Sequence, residues 1–402
     1  MWQEYLEVTL SDLQERHVRR DLHVVQPSTS SGGYNGNNFM NNDYLGLSGH
    51  QRVREASALA AKQHGNGPRS SPLVSGYTSF HRSLEHSIAR LKHTEDSLLF
   101  SSGFAANMAL LSSLLRDGYV DVFSDQLNHA SIIDGIRLGK SYGNNRVFIY
   151  RHNDMNHLEL LLQSSCQDTH RKRIVVTDSL FSMDGDFAHL PELVRLREKY
   201  RFLLIIDEAH ATLVCGENGG GAAEMFGVHN KVDIHVGTLS KAIGSQGGFV
   251  ACTSVMKQFL LNKGRPYVFS TALPIPTVAS AKEAIEIGQS QEGKTRRDHL
   301  YRLIDIVSRS KILSTMMPYK VHPNSPIIVI TIGCEEKTLE LADILLQKDL
   351  CRVAAIRPPT VATSRLRISL SSDHSVADVE RLVACLENRL MGQESMAAHC
   401  RL

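Results

Sequence analysis

Residues 202–210 read Phe-Leu-Leu-Ile-Ile-Asp-Glu-Ala-His, and they predict the kind of sheet on which the protein is built. Its first five residues are apolar, which is typical of a strand buried on both faces of a parallel sheet. The strand ends at Asp207, where a carboxylate is costly to ionise unless a cation faces it. Asp207 therefore predicts a positively charged partner, such as a protonated ring nitrogen. A metal ion is the alternative, but no second carboxylate or histidine cluster follows nearby at ligand spacing, and we interpret Glu208 as a solvated loop residue.

The apolar runs on either side of this stretch predict the rest of the architecture. Short β-branched or leucine-rich runs alternate with helical patterns, and they occupy residues 97–100, 119–123, 147–150, 174–177, 234–236 and 248–250. Such alternation predicts βα units around a mostly parallel sheet over about residues 45–265. After Pro274 and Pro276 the pattern changes to long helical stretches with three strand-like runs. This change predicts a smaller α+β domain.

We therefore predict an α/β protein with three parts: an N-terminal helix and linker at residues 1–44, a large domain at 45–275 and a small C-terminal domain at 276–402. The segment 28–38 consists almost entirely of Ser, Gly, Asn and Thr, which predicts a loop or hinge. The glycine-rich run 216–221 lacks the G-x-G-x-x-G spacing of a dinucleotide site. We interpret that run as a mobile loop.

Composition excludes several classes of protein. The 402 residues carry 44 Lys and Arg against 42 Asp and Glu, a net charge of +2 without a basic patch, which disfavours nucleic-acid binding. No apolar run approaches the roughly 18 residues that span a bilayer, so we predict no membrane segment. The N-terminal residues lack a basic segment followed by an apolar core, so no secretory signal is expected.

Cysteine and histidine usage gives no metal signature. The seven cysteines are scattered without a C-x-x-C pair, which predicts reduced thiols in an intracellular compartment rather than disulfides or structural zinc. The 19 histidines include no H-E-x-x-H spacing. We therefore predict no metal site.

Polar residues that follow the apolar runs carry the chemistry, because ligands of parallel sheets bind beyond the carboxyl ends of the strands. The segment 101–107 opens a helix whose free N–H groups could hold a phosphate, although an ordinary strand-to-helix turn is the alternative. His129 could stack on a flat ligand or simply cap a helix. Lys241 lies in a loop of glycines and hydroxyl residues, where it either faces solvent or forms a Schiff base. Together, Asp207 and Lys241 form the pair that pyridoxal phosphate (PLP) requires.

An ordered set of motifs also resembles a known family, the α-oxoamine synthases. The motifs lie at residues 42–47, 75–77 with His81 and Glu85, 102–107, 128–131, 181–186, 207–210 and 238–241. The resemblance covers about residues 2–390. It implies a fold-type I PLP-dependent transferase, with the predicted large domain as its PLP-binding domain. Enzymes of this family join an amino acid to an acyl thioester with loss of carbon dioxide.

Within this family, residues 75–78 and 355–361 resemble the branch that makes 8-amino-7-oxononanoate from L-alanine and a pimeloyl thioester. The segment 67–73 resembles the plant-type form of that branch. The resemblance does not decide whether the pimeloyl group is carried by coenzyme A or by acyl carrier protein. One alternative is another synthase of the family, above all the branch that acylates glycine with an acetyl thioester. A noncatalytic regulatory subunit is the alternative from a different class, which Lys241, Asp207 and His129 disfavour.

The resemblance assigns catalytic and cofactor-binding roles. It implies that Lys241 forms the imine with PLP and then removes the Cα proton of alanine, that Asp207 keeps the pyridine nitrogen protonated, and that His129 stacks on the ring. The further residues expected to contact the cofactor are Gly103, Phe104, Ser182, His210, Thr238, Ser270 and Thr271.

The resemblance also implies substrate contacts and an assembly. Arg357 is expected to bind a substrate carboxylate bidentately, beside Thr360 and Asn42, while Arg19 or Arg20 meets the distal carboxylate of the pimeloyl chain. The segment that contains Ser270 and Thr271 serves the neighbouring subunit in this family. The resemblance therefore predicts a homodimer with shared active sites.

The last three residues, Cys400-Arg401-Leu402, preserve the small-basic-leucine character of the S-K-L peroxisomal signal. The small and polar residues 393–399 before them could keep the tripeptide exposed. A frayed tail after the final helix is the alternative. We predict a peroxisomal location, with the cytosol as the alternative.

Overall fold

A computed structural model describes residues 1–16, 18–20, 22, 37–116, 118–141, 143–166, 168 and 170–397. The chain divides into two compact units. The larger unit comprises Asn42–Ser182 and Asp186–Asp298, and the smaller comprises Met1–Asn41, Met183–Gly185 and His299–Leu402. Most of the predicted hinge at 28–38, together with Cys400-Arg401-Leu402, lies outside the described residues.

A seven-stranded sheet forms the centre of the larger unit, with strand order β1-β7-β6-β5-β4-β2-β3. The strands are β1 Asp96–Phe100, β2 Val120–Asp125, β3 Arg146–Tyr150, β4 Lys172–Asp178, β5 Leu203–Asp207, β6 Ile234–Thr238 and β7 Gly248–Cys252. Strands β2 to β6 pair in parallel, whereas β7 is antiparallel to both of its neighbours. The predicted mostly parallel sheet is therefore confirmed, and the apolar run before Asp207 supplies its middle strand, β5.

The core of the larger unit lies between the sheet and its helices. Helix α4, Gly103–Leu114, contributes Ala109, Leu110 and Leu111, all fully buried against apolar residues of several strands. A π-helical turn spans Pro72–Gly76 and a 3₁₀ turn spans His229–Lys231. The helices up to residue 308 are α1 Trp2–Glu15, α2 Gln51–His64, α3 Ser79–Lys92, α4 Gly103–Leu114, α5 Ala130–Lys140, α6 Met155–Ser165, α7 Leu190–Tyr200, α8 Ala222–Met225, α9 Ser254–Lys263, α10 Arg265–Val268, α11 Ile275–Gly288 and α12 Gln291–Ser308.

The smaller unit contains a second, three-stranded sheet in the order β8-β10-β9, with antiparallel pairing throughout. Its strands are β8 Ile327–Gly333, β9 Ala354–Ile356 and β10 Ser364–Ser369. Its later helices are α13 Lys311–Thr315, α14 Glu335–Gln347 and α15 Val376–Ala397. The three runs predicted for an α+β domain thus form one sheet. Helix α1 has no buried residue.

The boundary between the units differs from the predicted division at residue 275. The larger unit continues to Asp298, because α11 packs against α2 and α3. Pro274 and Pro276 flank the start of this helix and do not end a domain. The N-terminal residues up to Asn41 group with the C-terminal part of the chain, since the backbone N–H of Phe39 donates to Arg352 and its carbonyl accepts from Ser369.

The structure differs from two predictions, one for Glu208 as a solvated loop residue and one for the run 216–221 as a mobile loop. Glu208 is fully buried, and Lys92 Nζ donates to its Oε2 at 2.7 Å and to the carbonyl of Gly220 at 2.7 Å. Burial by itself raises the pKa of Glu208, but Lys92 and His235 outweigh it and lower this pKa to about 2. A Cβ atom at Gly221 would lie 2.4 Å from Glu208 Oε1. Glu208 is therefore not a solvated loop residue, and the glycine run is anchored rather than mobile.

No helix among the described residues is both long and apolar enough to cross a membrane. The six cysteines in the described part of the chain are free.

We expect Lys92→Met to lower the free energy of unfolding by about 3–5 kcal/mol, because it leaves the Glu208 carboxylate buried without its cation. Lys231→Met is the matched control, since the side chains of its ion pair with Glu198 are 55% and 56% exposed, and losing such a pair costs about 0–1 kcal/mol. Denaturant unfolding of both variants and the wild type measures the two differences. Equal, small effects would show that Lys92 does not compensate Glu208.

Candidate functional site

The carboxyl ends of the middle strands gather acidic and hydroxyl groups at one edge of the large sheet. Strand β4 ends at Asp178, β5 at Asp207 and β6 at Thr238. Asp178 and Asp207 are register partners on adjacent parallel strands, and Asp207 pairs with Val236 on the other side. In parallel sheets this edge is where ligands bind.

Asp207 is held by neutral donors. Its Oδ2 accepts from Asn107 Nδ2 at 2.7 Å, and its Oδ1 accepts from the backbone N–H of Ala209 at 2.9 Å. Asp207 is only 6% exposed. These bonds orient the carboxylate without neutralising it, so a protonated ring nitrogen fits this site as the balancing cation.

Asn107 is a residue to which sequence reasoning gave no role. It lies on the buried face of α4, and its Nδ2 also donates to Ser131 Oγ at 2.9 Å. The amide therefore connects Asp207 to the first turn of α5. The only signal in the sequence was its place at the end of the 102–107 motif.

Asp178 is a second carboxylate that the sequence argument overlooked. Its Oδ2 accepts from the backbone N–H of His129 at 2.9 Å. Burial raises the pKa of Asp178 well above its usual value, and the negative charge of Asp207 raises it further. The premise that no second carboxylate lies near Asp207 is therefore wrong. Even so, among the described residues no group of three or more His, Cys, Asp and Glu side chains could hold a metal ion.

His129 caps helix α5 through its ring Nδ1. Its Nδ1 accepts from the Ser131 N–H at 3.2 Å and lies 2.8 Å from Ser131 Oγ, which places the ring proton on Nε2. The residue as a whole is exposed to solvent, but surrounding protein atoms desolvate its ring. This desolvation lowers the pKa of His129; Asp207 opposes it and Lys241 adds to it. A neutral imidazole suits the predicted stacking on a flat ligand.

Lys241 lies at the start of a hydrogen-bonded chain. Its Nζ is 2.8 Å from His210 Nε2, and His210 Nδ1 is 2.6 Å from the Tyr44 hydroxyl. The Tyr44 hydroxyl in turn donates to Asn42 Oδ1 at 3.1 Å. The fold thus brings the predicted residues Lys241, His210 and Asn42 together. Tyr44 belongs to the motif at residues 42–47, but the motif gave it no role of its own. Its hydroxyl group connects His210 to Asn42.

The start of α4 forms a cradle for an anion beside Thr238. Ser102 caps the helix by accepting from the Ala105 N–H at 3.1 Å. A Cβ atom at Gly103 would lie 3.2 Å from Thr238 Cβ. The missing side chain at Gly103 thus leaves room beside Thr238, where free helix N–H groups can meet a phosphate. The neighbouring Phe104 is 44% exposed.

The remaining predicted cofactor contacts occupy two places in the larger unit. Ser182 follows the isolated bridge residue Leu180 and lies in the turn before its partner Phe187. Ser270 and Thr271 line a small cavity together with Ser101, among other residues. The roles assigned to these three residues stay predictions.

The smaller unit contains an arginine-rich cavity of about 540 Å³, lined among others by Arg19, Arg20, Arg357 and Thr360. We call it the arginine cavity. Arg20 Nη2 donates to Thr360 Oγ1 at 2.8 Å. The sequence left Arg19 and Arg20 as alternatives, and both line the cavity. Its guanidinium groups suit a ligand with carboxylates.

Comparisons with known proteins agree with this arrangement. The chain is 47% identical over 367 residues to the 8-amino-7-oxononanoate synthase of Arabidopsis thaliana, an alignment that covers 88% of this chain and 74% of the relative. Its fold resembles that of a solved 8-amino-7-oxononanoate synthase from Francisella tularensis, with a TM-score of 0.74, 26% identity, and coverage of 89% of this chain and 98% of that one.

A second solved structure extends the similarity across the family. The serine palmitoyltransferase of S. paucimobilis with a bound PLP-myriocin aldimine superposes with a TM-score of 0.84 and 26% identity over 96% of each chain. The family model for aminotransferase class I and II matches residues 35–386. The chain therefore belongs to the class I and II aminotransferase family, among the α-oxoamine synthases that its motifs resemble.

Proposed function

We propose that the chain joins L-alanine to a pimeloyl thioester and makes 8-amino-7-oxononanoate, a step of biotin biosynthesis, with PLP as its cofactor. In this reaction a bond forms between the Cα of alanine and the thioester carbonyl carbon. The C–S bond breaks and the thiol leaves. The alanine carboxylate departs as carbon dioxide, and a proton takes its place.

The larger unit supplies what the cofactor needs. When bound, PLP supplies an electron sink for the bonds that break at the alanine Cα. Asp207 is oriented by Asn107 and the Ala209 N–H, so it can face a protonated pyridine nitrogen. The cradle at Gly103 and Thr238 suits the phosphate.

In this proposal, Lys241 is the group that takes the Cα proton of alanine. A lysine amine that takes the Cα proton of alanine must pass through a protonated state. His210 Nε2, at 2.8 Å from Lys241 Nζ, can accept a hydrogen bond from that ammonium. His129 presents a neutral ring whose Nε2–H is free of the Ser131 contact and can donate to a substrate oxygen.

The arginine cavity is the observation that carries the substrate assignment. L-alanine and the pimeloyl chain each bring one carboxylate, and the cavity offers more than one guanidinium group. We assign Arg357 to the alanine carboxylate. Arg20, which already bonds Thr360, is assigned to the distal carboxylate of the pimeloyl chain. An acetyl thioester lacks that second carboxylate.

We expect turnover of L-alanine with pimeloyl thioester, tested with both coenzyme A and carrier protein, to exceed that of glycine with acetyl thioester. Arg20→Met should raise the KM for pimeloyl thioester roughly 10- to 100-fold, because a charge-assisted hydrogen bond of about 1.5–3 kcal/mol is lost. The KM for alanine should change much less. Steady-state kinetics with each substrate varied in turn measures both constants.

Two variants control this assay. Arg137→Met removes a guanidinium whose side chain is 76% exposed on α5 and should leave both KM values unchanged. Lys241→Ala should abolish turnover. Faster reaction of glycine with acetyl thioester would favour the other synthase branch, and no turnover with either pair would favour the regulatory-subunit alternative.

We propose that the active form is a homodimer with shared sites. Phe269, next to Ser270 and Thr271, is 71% exposed, and Trp2 and Tyr5 of α1 are 77% and 60% exposed. Large exposed aromatic side chains are typical of surfaces that another chain covers.

Mixing inactive Lys241→Ala with an inactive Ser270→Ala/Thr271→Ala double variant should restore part of the activity, because mixed dimers contain one site with both sets intact. Subunit exchange is verified beforehand by mass spectrometry of differently tagged chains. Exchange without any recovered turnover would argue that Ser270 and Thr271 act within their own chain.

We also propose a peroxisomal location through Cys400-Arg401-Leu402. A fluorescent protein fused in front of residues 393–402 should collect in peroxisomes, and deletion of Leu402 should disperse it, because the receptor reads the terminal tripeptide. Fluorescence microscopy with a peroxisomal marker measures the overlap. Diffuse signal from both fusions would return the assignment to the cytosol.

A further inference from the structure

We propose that His81 is a positioning residue for the 269–274 loop, which joins helix α10 to helix α11. By donating a hydrogen bond to the carbonyl of Leu273, it keeps Ser270 and Thr271 where the proposed function has them contact the cofactor phosphate. The inference therefore rests on that proposed role of the two hydroxyl groups. The sequence motif that contains His81 has no part in the proposed reaction otherwise.

The 269–274 loop is held to distant parts of the larger unit by two hydrogen bonds. The backbone N–H of Ala272 donates to the carbonyl of Ser70 at 3.1 Å, and His81 Nε2 lies 2.9 Å from the carbonyl of Leu273. Among the described residues, His81 is the only one whose side chain hydrogen-bonds to this loop. Leu273 is 7% exposed, so bulk water has little access as a replacement donor.

The backbone N–H of Thr78 fixes the tautomer of His81. That N–H can only donate, and it lies 3.3 Å from His81 Nδ1, while Thr78 Oγ1 lies 2.9 Å from the same nitrogen. Nδ1 is therefore an acceptor, and the ring proton lies on Nε2, which donates it to Leu273. Burial lowers the pKa of His81 and outweighs the raising effects of the Leu273 carbonyl and of Glu85. The neutral ring that this geometry requires is thus the favoured form.

His81 occupies a position that usually has a different residue type. It is the third residue of α3 and accepts from the residue before the helix, as the Glu or Gln of a capping box does. An ionised glutamate could accept from Thr78 but could not donate to Leu273. Histidine does both, and so connects the start of α3 to the 269–274 loop. Glutamine, with one acceptor and one donor group, is the conservative replacement.

The neighbouring residues of the same motif also pack against the loop. A Cβ atom at Gly76 would lie 2.2 Å from the carbonyl oxygen of Ser70 and 2.8 Å from Ala272 Cβ. Only glycine therefore lets the Ser70 carbonyl take the Ala272 hydrogen bond at this place. The Tyr77 hydroxyl donates to Glu85 Oε2 at 2.6 Å, and both side chains line the small cavity that the loop also lines.

The buried charge of Glu85 is compensated next to the loop. Lys257 Nζ donates to Glu85 Oε2 at 2.7 Å and to Asp96 Oδ1 at 3.0 Å. Arg82 Nη1 donates to the two oxygens of Asp96 at 2.6 and 2.9 Å. Two cations thus meet two carboxylates. The cluster supports Tyr77 without adding a net negative charge beside the proposed phosphate contact.

The test compares two ligands that differ only in the phosphate. The full-length protein, freed of PLP, is titrated with PLP and with pyridoxal, which lacks the phosphate, and calorimetry gives both dissociation constants. We expect His81→Leu to raise the Kd for PLP roughly 10-fold, because the loop hydroxyls move away from the phosphate. The Kd for pyridoxal should stay nearly unchanged, and His81→Gln should retain most of the PLP affinity.

The matched control is Thr253→Ala, which removes the cap of another helix of the same unit, where Thr253 Oγ1 accepts from the N–H of Met256 at 3.2 Å. It should leave both constants unchanged. A second variant, Gly76→Ala, displaces the Ser70 carbonyl from its place beside Ala272. It should weaken the binding of PLP alone, even if His81→Leu fails to fold.

A double-mutant cycle shows whether His81 acts through the two hydroxyl groups. Adding His81→Leu to the Ser270→Ala/Thr271→Ala variant should weaken PLP binding little further, because the groups that His81 positions are already gone. Additive losses would overturn the inference. Equal weakening of PLP and pyridoxal, or an unchanged Kd for PLP in the folded variants, would overturn it as well.

Neither ligand is an acyl thioester, so failure of the pimeloyl assay does not affect this test. If Ser270→Ala/Thr271→Ala binds PLP as tightly as the wild type, the proposed phosphate contact is wrong and the inference is overturned with it. If that variant loses affinity while His81→Leu does not, the phosphate contact stands and the inference alone is wrong.

Discussion

The carboxylate of Asp207, buried at the end of the middle strand, constrains the residues around it in the larger unit. A negative charge in that position must be oriented by hydrogen bonds and compensated by a cation. Asn107 and the Ala209 N–H provide the orientation. Through Asn107 the same carboxylate is connected to Ser131, and Ser131 in turn fixes the ring of His129. One network therefore orients both the Asp207 carboxylate, which would face the PLP ring nitrogen, and the ring of His129.

The next residue in the chain, Glu208, has a structural role in the protein interior. Successive residues around a strand end point in opposite directions, so Asp207 faces the site while Glu208 enters the protein interior. There it meets Lys92, His235 and the Ala223 N–H. The low pKa of Glu208 means that it stays ionised through the physiological range. Its charge organises the glycine run 216–221, whose lack of side chains allows the backbone to approach the carboxylate closely.

The proposed chemistry divides between the two units according to charge. The larger unit supplies carboxylates, imidazoles and one lysine at the carboxyl edge of a parallel sheet. The smaller unit supplies the arginine cavity, in which Arg20 is already fixed by Thr360. A cofactor with a cationic ring requires the first set, and a substrate pair with two carboxylates requires the second. In the proposed function, the larger unit would hold the phosphate and the protonated pyridine, and the smaller unit the two carboxylates.

Sequence patterns predicted the fold class, a buried strand before Asp207 and the family, because apolar runs and motif spacing are local properties of the chain. The tertiary structure decided which side chains meet. Asn107 is separated from Asp207 by 100 positions, Tyr44 from His210 by 166 and Lys92 from Glu208 by 116. The Asp178–Asp207 pairing depends on the register of two strands. Burial of Glu208 and the extent of the larger unit to Asp298 likewise depend on packing between distant segments, which no local pattern contains.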